Sequence, residues 1–355
     1  MNKINKLRRE IDELDEQILG LLDERGRLAN RIGELKKEFN LKAFSPERES
    51  EIYTKIDEVD NILPAEGLKA IYREIISACR RLQEPVEVSY LGPEGSFTHQ
   101  AANQRFGSQA EYRAVDGIED VFSELDKGRC DYGVVPIESS LEGMVTRTLD
   151  MFIESKNIIN SEIYLPISHC LLSRDELGSI KVIYSHPQAL AQCRNWIRNN
   201  LPEAKIHEAS STSQAAKIAA GEKNCAAIAG LLAASIYNLN ILEENIQDGG
   251  INITRFLVIS KTPSGKTGTD KTSIMFSIKD KVGALYEILK PLAQEKINLT
   301  KIESRPSKRG PWDYYFFVDF EGHKQEPKVK KAINGVKENC VFLRVLGSYP
   351  RGSKS

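Results

Sequence analysis

The sequence predicts a multidomain protein in which an all-helical segment, an α/β segment of two lobes and an α+β segment follow one another. Three patterns predict this order. Apolar residues first recur every three or four positions, strand and helix patterns then alternate, and a βαββαβ pattern closes the chain. A length of 355 residues accommodates two or three domains of roughly 100–200 residues. The predicted domains are 1–84, 86–265 and 270–350.

Composition argues against several classes of protein. The formal net charge is −1, so no overall basic field favours a nucleic acid or a membrane surface as partner. The six cysteines form no CxxC pair and the five histidines lack metal-ligand spacing, so we expect reduced thiols and neither a metal nor another cofactor. The first residues lack an apolar signal core, and no apolar run is long enough to span a bilayer. We therefore expect a cytoplasmic protein.

The spacing of apolar residues in the first segment, together with its helix start and stop signals, predicts three helices. One face of a long amphipathic helix carries Leu7, Ile11, Leu14, Ile18, Leu21, Leu28, Ile32 and Leu35. This helix is expected to end near Phe39, and the next to begin with Ser45 as N-cap and Pro46 in the first turn. A third helix is expected over residues 65–82. A coiled-coil dimerisation module would show the same apolar face.

Cations on the first helix indicate more than dimerisation. Arg25 and Lys36 are eleven residues apart, which places them on one face of an α-helix. Arg8 precedes Arg25 by seventeen residues, which is about 25 Å along the helix and about 260° around it. Arg8 cannot easily serve the same small ligand as Arg25 within one chain, but it can do so across an antiparallel dimer. Three converging cations then predict a site for a multiply charged anion.

This segment resembles the all-helical chorismate mutases. The similar stretches are LRREI (7–11), LD (14–15), ER (24–25), Lys36, PERE (46–49) and IISACRRLQ (75–83). The resemblance implies an intertwined dimer in which Arg25 and the partner subunit's Arg8 bind the two carboxylates of chorismate. It also implies a pericyclic rearrangement to prephenate, catalysed by conformational restriction and charge stabilisation.

The same resemblance implies roles for five further side chains. Lys36 and Gln83 would approach the ether oxygen of chorismate, and Arg48 and Glu49 its hydroxyl side. Cys79 would also line the site, at a position where these enzymes usually carry Ser. Lys36, Glu49 and Gln83 are therefore the predicted catalytic residues of the helical segment.

The middle segment alternates strand and helix patterns, which predicts mainly parallel sheets. Small polar clusters follow successive strands at 95–98, 138–140, 185–188, 210–213 and 254–255. Hydroxyls before helix N-termini can bind anions, although any single cluster is more often a plain N-cap. Thr254 and Arg255 lie at the mouth of a run that is typical of a buried strand, where ligands often bind in α/β sheets. Five clusters together favour a site for an anionic organic ligand.

This middle segment resembles prephenate dehydratase. The similar stretches are GPEGSFTH (92–99), VPIESS (135–140), HCLL (169–172), YSHPQAL (184–190), QC (192–193) and NITRF (252–256). The resemblance implies a bilobal fold like that of the periplasmic ligand-binding proteins, and the decarboxylating dehydration of prephenate to phenylpyruvate. Thr254 is then the predicted hydrogen-bond donor or acid for the departing hydroxyl, with Arg255 holding a carboxylate.

The predicted prephenate site includes nine residues besides Thr254. They are Ser96, Thr98, Glu138, Ser139, Ser140, Ser211, Ser213, Arg255 and Phe256. Ser139 stands where the family usually has Asn. The histidines His99, His169 and His186 are possible general acids, but we rank them below Thr254. His169 precedes an apolar run and His186 precedes a proline, which favours structural roles.

The last segment begins with residues 263–269, whose composition predicts a flexible linker. The following βαββαβ pattern is the ferredoxin-like arrangement, which could serve only as a dimerising appendage. The stretches at 283–285 and 298–306 resemble the ACT regulatory domain. This resemblance implies feedback inhibition by phenylalanine bound between paired ACT domains. The predicted effector residues are Gly283, Ala284, Leu285, Asn298, Leu299, Glu303, Ser304 and Arg305.

Together, the resemblances imply a bifunctional enzyme of phenylalanine biosynthesis that forms a homodimer or homotetramer. Two alternatives remain open at this point. One is a non-enzymatic sensor with a bilobal binding module, and the other is a dehydratase whose helices only dimerise. The presence of Thr254 and Arg255 argues against the sensor, and the helical cations argue against a purely dimerising segment.

Overall fold

The computed structural model describes residues 2–39, 41–42, 44–250, 252–278, 281–306 and 314–352. The chain divides into two compact units, which are Met1–Glu87 with Arg105–Glu111, and Val88–Gln104 with Tyr112–Ser355. Within the described ranges, no helix is long and apolar enough to cross a membrane. The same ranges contain no group of three His, Cys, Asp or Glu residues arranged to hold a metal ion.

The first unit contains the three predicted helices, α1 (Asn2–Glu38), α2 (Pro46–Glu58) and α3 (Ala65–Gln83). The predicted N-cap of α2 is confirmed, because the Ser45 hydroxyl accepts a hydrogen bond from the Arg48 backbone N–H. Helices α1 and α3 approach closely at Gly33. A Cβ there would lie 2.8 Å from the Cβ of Gln83, so this crossing requires glycine.

The second unit contains two α/β lobes and a C-terminal α+β layer. Its helices are α4 (Phe97–Phe106), α5 (Ile118–Asp126), α6 (Thr146–Glu154), α7 (Pro187–Gln192), α8 (Arg194–Asn200), α9 (Thr212–Gly221), α10 (Leu231–Tyr237), α11 (Ala284–Gln294) and α12 (Pro327–Asn339). Its strands are β1 (Glu87–Leu91), β2 (Glu111–Val115), β3 (Tyr132–Ser139), β4 (Gly143–Met144), β5 (Ile158–Pro166), β6 (Cys170–Ser173), β7 (Val182–Ser185), β8 (Lys205–Glu208), β9 (Cys225–Ala229), β10 (Asn240–Glu243), β11 (Ile253–Ser260), β12 (Asp270–Ser277), β13 (Leu299–Pro306), β14 (Tyr314–Glu321) and β15 (Phe342–Pro350).

Each lobe is built on one sheet. The first sheet has the order β2-β1-β3-β11-β5 with β4 beside β3, and the second has the order β10-β6-β9-β7-β8. The prediction of mainly parallel sheets is wrong. Strand β11 runs antiparallel to both β3 and β5, and β6 runs antiparallel to both β9 and β10. The reason is that β11 returns from the second lobe into the middle of the first sheet, which an alternating strand and helix pattern does not reveal.

The C-terminal layer has the predicted βαββαβ order. Its antiparallel sheet runs β13-β14-β12-β15, and its core with α11 and α12 includes Ile274, Phe276, Ile288 and Val329. The sheet also shares an apolar core with the first lobe. Met275, Phe317 and Leu346 belong to the same buried cluster as Leu257 and Ile259 of β11.

Two local predictions need correction. Residues 263–269 lack regular structure but are anchored, because the buried Ser264 hydroxyl donates to the Asn160 carbonyl and Thr267 binds the carboxylate of Asp270. The sequence pattern over residues 188–199 predicts a single helix, whereas the structure divides this stretch into α7 and α8 at Cys193. Asp248 accepts the backbone N–H of Asn195 at 2.6 Å, which caps the start of α8.

Candidate active sites

In the first unit, the side chains predicted to approach the ether oxygen lie near one another. Gln83 contacts α1 at Gly33, one turn before Lys36. The Oε1 atom of Gln83 is buried and has no hydrogen-bond partner among the described residues, an arrangement that costs free energy unless a ligand or water binds there. Burial lowers the pKa of Lys36, although Glu47 and Glu49 act in the opposite direction.

Glu49 is paired within this unit, which includes Arg105 at the end of α4. Only 6% of it is exposed, and its two carboxylate oxygens accept hydrogen bonds from Arg80 at 3.2 Å and Arg105 at 2.8 Å. A buried carboxylate is tolerated only when it is paired in this way. Neither arginine was predicted from the sequence to be part of the site. Arg80 lies within the IISACRRLQ stretch, whereas nothing near Arg105 signalled its role.

The other predicted chorismate residues are spread along the helices. Arg25 is half-buried, Arg8 is exposed, and the unbroken α1 separates them by about 25 Å. Arg48 is exposed and pairs with Glu51, and Cys79 is buried in α3. One chain therefore does not bring Arg8 to the other cations.

In the second unit, the strand register separates Thr254 from Arg255. Thr254 is paired with Ser139 on β3 and with Leu165 on β5, whereas Arg255 is paired with Glu138 and Tyr164. Because successive side chains point to opposite faces of a sheet, Thr254 and Ser139 lie on one face and Arg255 and Glu138 on the other. The residues predicted to bind prephenate therefore fall into two groups.

A chain of polar contacts lies beside the half-buried Thr254. The Asn252 amide donates to Gln192 at 3.5 Å, Gln192 contacts His169 Nε2 at 2.8 Å, and the His169 ring meets the Phe97 ring edge-on at 5.5 Å. Asn252 Oδ1 and His169 Nδ1 are buried without a hydrogen-bond partner among the described residues. Asn252, Gln192 and Phe97 lie in the motifs quoted above but were not predicted from the sequence as site residues.

Several predicted hydroxyls cap helices, as the plainer interpretation of these clusters expected. Ser96 accepts the backbone N–H of His99 at 3.3 Å, and Ser211 accepts that of Gln214 at 3.0 Å. The Ser213 hydroxyl donates to the Glu94 carbonyl and thereby joins the two lobes. Gly95 has a φ of +81°, and a Cβ there would lie 2.9 Å from Ser213 Oγ, so this contact requires glycine.

The remaining residues of the predicted prephenate site are buried or accept hydrogen bonds from the backbone. Thr98 is buried in the first turn of α4, and Phe256 is buried in β11. The hydroxyl of Ser139 accepts the Leu141 N–H at 3.3 Å, and that of Ser140 accepts the Ile253 N–H at 3.0 Å.

The buried side chains of His99 and His169 are neutral near pH 7. Burial lowers the pKa of His99 to about 4, and its Nδ1 accepts a hydrogen bond from the Gly95 N–H at 3.1 Å. Burial also lowers the pKa of His169. A neutral imidazole is not a reservoir of acidic protons, so these two side chains are poor general acids, as the ranking below Thr254 anticipated.

The face that carries Arg255 borders a cavity of about 530 Å³. Its lining combines three predicted prephenate residues and two predicted effector residues, namely Glu138, Ser140, Arg255, Asn298 and Leu299. Arg255 is only 6% exposed and pairs with Glu162 and Asp319, both at 2.7 Å. Its role in binding a substrate carboxylate stays a prediction, and its pairing with two protein carboxylates weighs against that role.

The other predicted effector residues lie in the C-terminal layer. Gly283 has a φ of +77° at the N-terminus of α11, where Ala284 and Leu285 form the first turn. On β13, Glu303 is half-buried and Ser304 is exposed. Arg305 instead forms a two-pronged ion pair with Asp150 of the first lobe, at 2.8 and 3.0 Å.

The second unit has two lobes that meet beside the polar start of strand β11, and a ferredoxin-like layer is joined to them. This architecture defines a ligand-binding α/β enzyme with an attached regulatory domain. Three family models match in chain order. They are Chorismate mutase type II over residues 7–84, Prephenate dehydratase over 88–264 and ACT domain over 272–338. The chain belongs to the family of bifunctional chorismate mutase/prephenate dehydratases.

Relatives support this assignment over nearly the whole length. The bifunctional chorismate mutase/prephenate dehydratase of Aquifex aeolicus is 51% identical over 99% of both chains. The protein of the same description from Pseudomonas aeruginosa is 42% identical over 99% of this chain and 98% of its own. A solved prephenate dehydratase from Arthrobacter aurescens, in complex with L-Phe, is 36% identical with a TM-score of 0.68, covering 75% of this chain and 90% of that chain.

The buried neutral His99 predicts a pH dependence of stability. The folded-state pKa of about 4 lies below the ordinary value of 6.5, so stability from this group is present above pH 6.5 and lost as the pH falls towards 4. We expect the fall in melting temperature between pH 7 and pH 5 to be smaller in His99→Gln than in the wild type. The exposed His207→Gln variant is the control, and an undiminished pH dependence in His99→Gln would contradict the assignment.

Proposed function

We propose that this protein converts chorismate to prephenate in its helical domain and prephenate to phenylpyruvate in its α/β domain, with feedback inhibition by phenylalanine through the ACT domain. The domains are taken as 1–84, 86–265 and 270–350, and the cytoplasm as the compartment. The proposal is carried by two polar sites, one at Gln83 and one beside Thr254 at Asn252. In each, a buried oxygen has no hydrogen-bond partner among the residues that the structure describes. Both occur in a chain whose full-length relatives have both activities in their names.

The rearrangement of chorismate needs no acid, base or nucleophile, because bonds break and form within one molecule. The protein holds the reactive conformer and stabilises charge in the transition state. Lys36 and the Gln83 amide face the ether oxygen, where negative charge develops. Arg25 and the partner subunit's Arg8 bind the two carboxylates, while Arg48 and Glu49 orient the hydroxyl side.

The helical domain acts as an intertwined dimer in this proposal. The apolar side chains on one face of α1 are about half exposed in the single chain, including Leu7 at 59% and Leu35 at 54%. A soluble protein rarely leaves such a continuous apolar stripe uncovered. A second copy of α1, packed antiparallel, buries this stripe and brings Arg8 of the partner subunit to Arg25.

In the dehydration, the Thr254 hydroxyl donates a hydrogen bond or proton to the departing hydroxyl of prephenate, while the ring carboxylate leaves as carbon dioxide. A threonine hydroxyl is a weak acid, but the ring becomes aromatic in this step, so the protein needs to supply less of the driving force. The nearby polar side chains Asn252 and Gln192 would orient the substrate against Thr254.

Phenylalanine is proposed to bind between paired ACT domains. Gly283 at the start of α11 leaves backbone N–H groups open to a carboxylate, because a helix N-terminus favours anions. The relative from Arthrobacter aurescens was solved in complex with L-Phe, which supports an amino-acid effector of this kind.

The purified protein supplied with chorismate is expected to form prephenate and then phenylpyruvate, and phenylpyruvate formation is expected to fall when phenylalanine is added. Both products are followed separately by absorbance and chromatography. Accumulation of prephenate without phenylpyruvate would reduce the α/β domain to a binding module. Unchanged chorismate, with supplied prephenate still converted, would reduce the helical domain to a dimerisation element.

Thr254→Ala is expected to lower kcat/KM for phenylpyruvate formation by about 10²–10³-fold, because one preorganised donor to the transition state is removed. Chorismate consumption should continue at the wild-type rate. Thr254→Ser keeps a hydroxyl and is the matched control, for which we expect substantial recovery. Equal loss of both activities in Thr254→Ala would show that folding, rather than chemistry, was affected.

Arg8→Ala and Arg25→Ala are each expected to abolish mutase activity, whereas dimers that combine one of each should regain it. Such a mixed dimer keeps one of its two sites complete, so isolated mixed dimers should reach about half of wild-type activity. The two variants are co-expressed with different affinity tags so that mixed dimers are isolated. Inactive mixed dimers would contradict the assignment of Arg8 to the partner chain.

A further inference from the structure

We propose that His169 is a positioning residue for the dehydration step, because its ring holds the side-chain amide of Gln192 in one orientation beside Thr254. The inference rests on the proposed dehydratase function and deepens it. It gives this histidine a task that needs no proton transfer to or from the substrate. That task agrees with the lowered pKa of its buried imidazole, which keeps the ring neutral near pH 7.

The hydrogen bond between His169 and Gln192 runs from the ring to the amide. It joins His169 Nε2 to Gln192 Oε1 at 2.8 Å, and a carboxamide oxygen can only accept. The Nε2 atom therefore carries the ring proton and donates it. Turning the amide over would bring its own N–H groups against that proton, so the histidine selects one orientation of the Gln192 side chain.

The ring of His169 is itself fixed in place. The residue is only 3% exposed, and its ring meets the Phe97 ring edge-on at 5.5 Å. Its backbone N–H donates to Gln247 Oε1 at 2.9 Å, and its carbonyl accepts the Ile246 N–H at 2.9 Å. Its Nδ1 atom is buried without a hydrogen-bond partner among the described residues. A second proton on that atom would bury an uncompensated charge, so the ring keeps the neutral form that donates from Nε2.

The orientation of Gln192 determines what the site presents beside Thr254. Gln192 Oε1 accepts from the His169 ring and also from the Asn252 amide at 3.5 Å, so the N–H groups of Gln192 are turned away from both donors. Asn252 lies two residues before Thr254, and its buried Oδ1 has no partner within the described part of the chain. Gln192 and Asn252 thus offer one donor and one acceptor. Prephenate carries groups of both kinds, namely carboxylate and keto oxygens and a hydroxyl.

The experiment uses the full-length protein with prephenate as substrate. His169→Leu is expected to lower kcat/KM for phenylpyruvate formation by about 10-fold, because the Gln192 amide loses the donor that fixes it. His169→Gln keeps an N–H donor and should recover most of this loss. Wild-type kcat/KM in His169→Leu would overturn the proposal, and so would equal losses in His169→Leu and His169→Gln.

His207→Leu is the matched control, because His207 is an exposed histidine on β8 of the same lobe. It should retain the wild-type kcat/KM for prephenate. Mutase turnover of chorismate should be unchanged in all of these variants. A loss in His207→Leu as large as that in His169→Leu would overturn the proposal, since the effect would then not depend on the contact with Gln192.

A double-mutant cycle distinguishes positioning through Gln192 from a purely structural role of His169. Gln192→Leu is expected to lower kcat/KM by about 10²-fold, because a preorganised donor is removed. Adding His169→Leu to this variant should change kcat/KM by less than about 2-fold, since the amide that the ring positions is already absent. Losses that multiply in the double variant would overturn the proposal, because His169 would then act independently of Gln192.

Two further measurements keep the test decisive. If His169→Leu does not fold, as judged by circular dichroism and thermal melting, His169→Phe keeps a planar ring against Phe97 and removes both nitrogens. A lower kcat/KM in His169→Phe supports the proposal, and wild-type kinetics overturn it. The wild type is assayed first. A wild type that forms no phenylpyruvate contradicts the dehydratase function itself, whereas an active wild type with unaffected His169 variants contradicts only the role of His169.

Discussion

The buried charge cluster around Arg255 is the constraint on which the arrangement of the second unit depends. Arg255, Lys271, Glu162 and Asp319 are withdrawn from water together, and their charges cancel. Such a cluster adds little net stability when intact, whereas removal of one partner typically costs about 3–5 kcal/mol. That cost is a large part of the roughly 5–15 kcal/mol that stabilises a typical domain. The cluster therefore specifies how β5, β11 and the C-terminal sheet fit together more than it strengthens them.

Burial of apolar side chains favours the association of these sheets, and the buried ion pairs fix their relative position. Met275, Phe317 and Leu346 share a buried cluster with the inner residues of β3 and β11, and apolar contacts of this kind are tolerant of small shifts. The fit is close at Gly347, where a Cβ would lie 2.3 Å from the Ile159 carbonyl oxygen. The Arg255 cluster is not tolerant of shifts, because each hydrogen bond depends on distance and angle. Because successive side chains on β11 point to opposite faces of the sheet, the cluster around Arg255 and the side chain of Thr254 lie on opposite faces.

Local sequence signals were sufficient where structure depends on near neighbours. The three N-terminal helices were predicted within a few residues, because apolar spacing and the Ser45-Pro46 start are local features. The βαββαβ order was also correct. Strand β5 was missed, because its run from Ile158 to Pro166 is buried on both faces and contains Glu162, so it shows neither alternation nor a purely apolar pattern. The antiparallel insertion of β11 was missed for a related reason, since strand direction depends on segments far apart in the chain.

In the candidate sites, too, features that depend on neighbouring residues were predicted, whereas contacts between distant segments were not. Thr254 was placed correctly at the start of a strand from its own neighbourhood. The pairing of Gln83 with Lys36 came instead from the resemblance to the chorismate mutases, and in the structure Gln83 packs against α1 at Gly33. The partners of Arg255 come from residues 162, 319 and 349, and no local pattern encodes pairs at such separations. A cation beside a predicted catalytic hydroxyl suggests substrate binding when only the sequence is considered. In the structure this cation is buried between two protein carboxylates, and its role in substrate binding stays a prediction. In the proposed scheme the helical site is completed by a second chain, whereas the dehydratase site is formed within one chain. The C-terminal sheet of that chain contacts the first lobe at several points, which include the Arg255–Asp319 and Arg305–Asp150 ion pairs, so the fit of the two sheets does not depend on one residue.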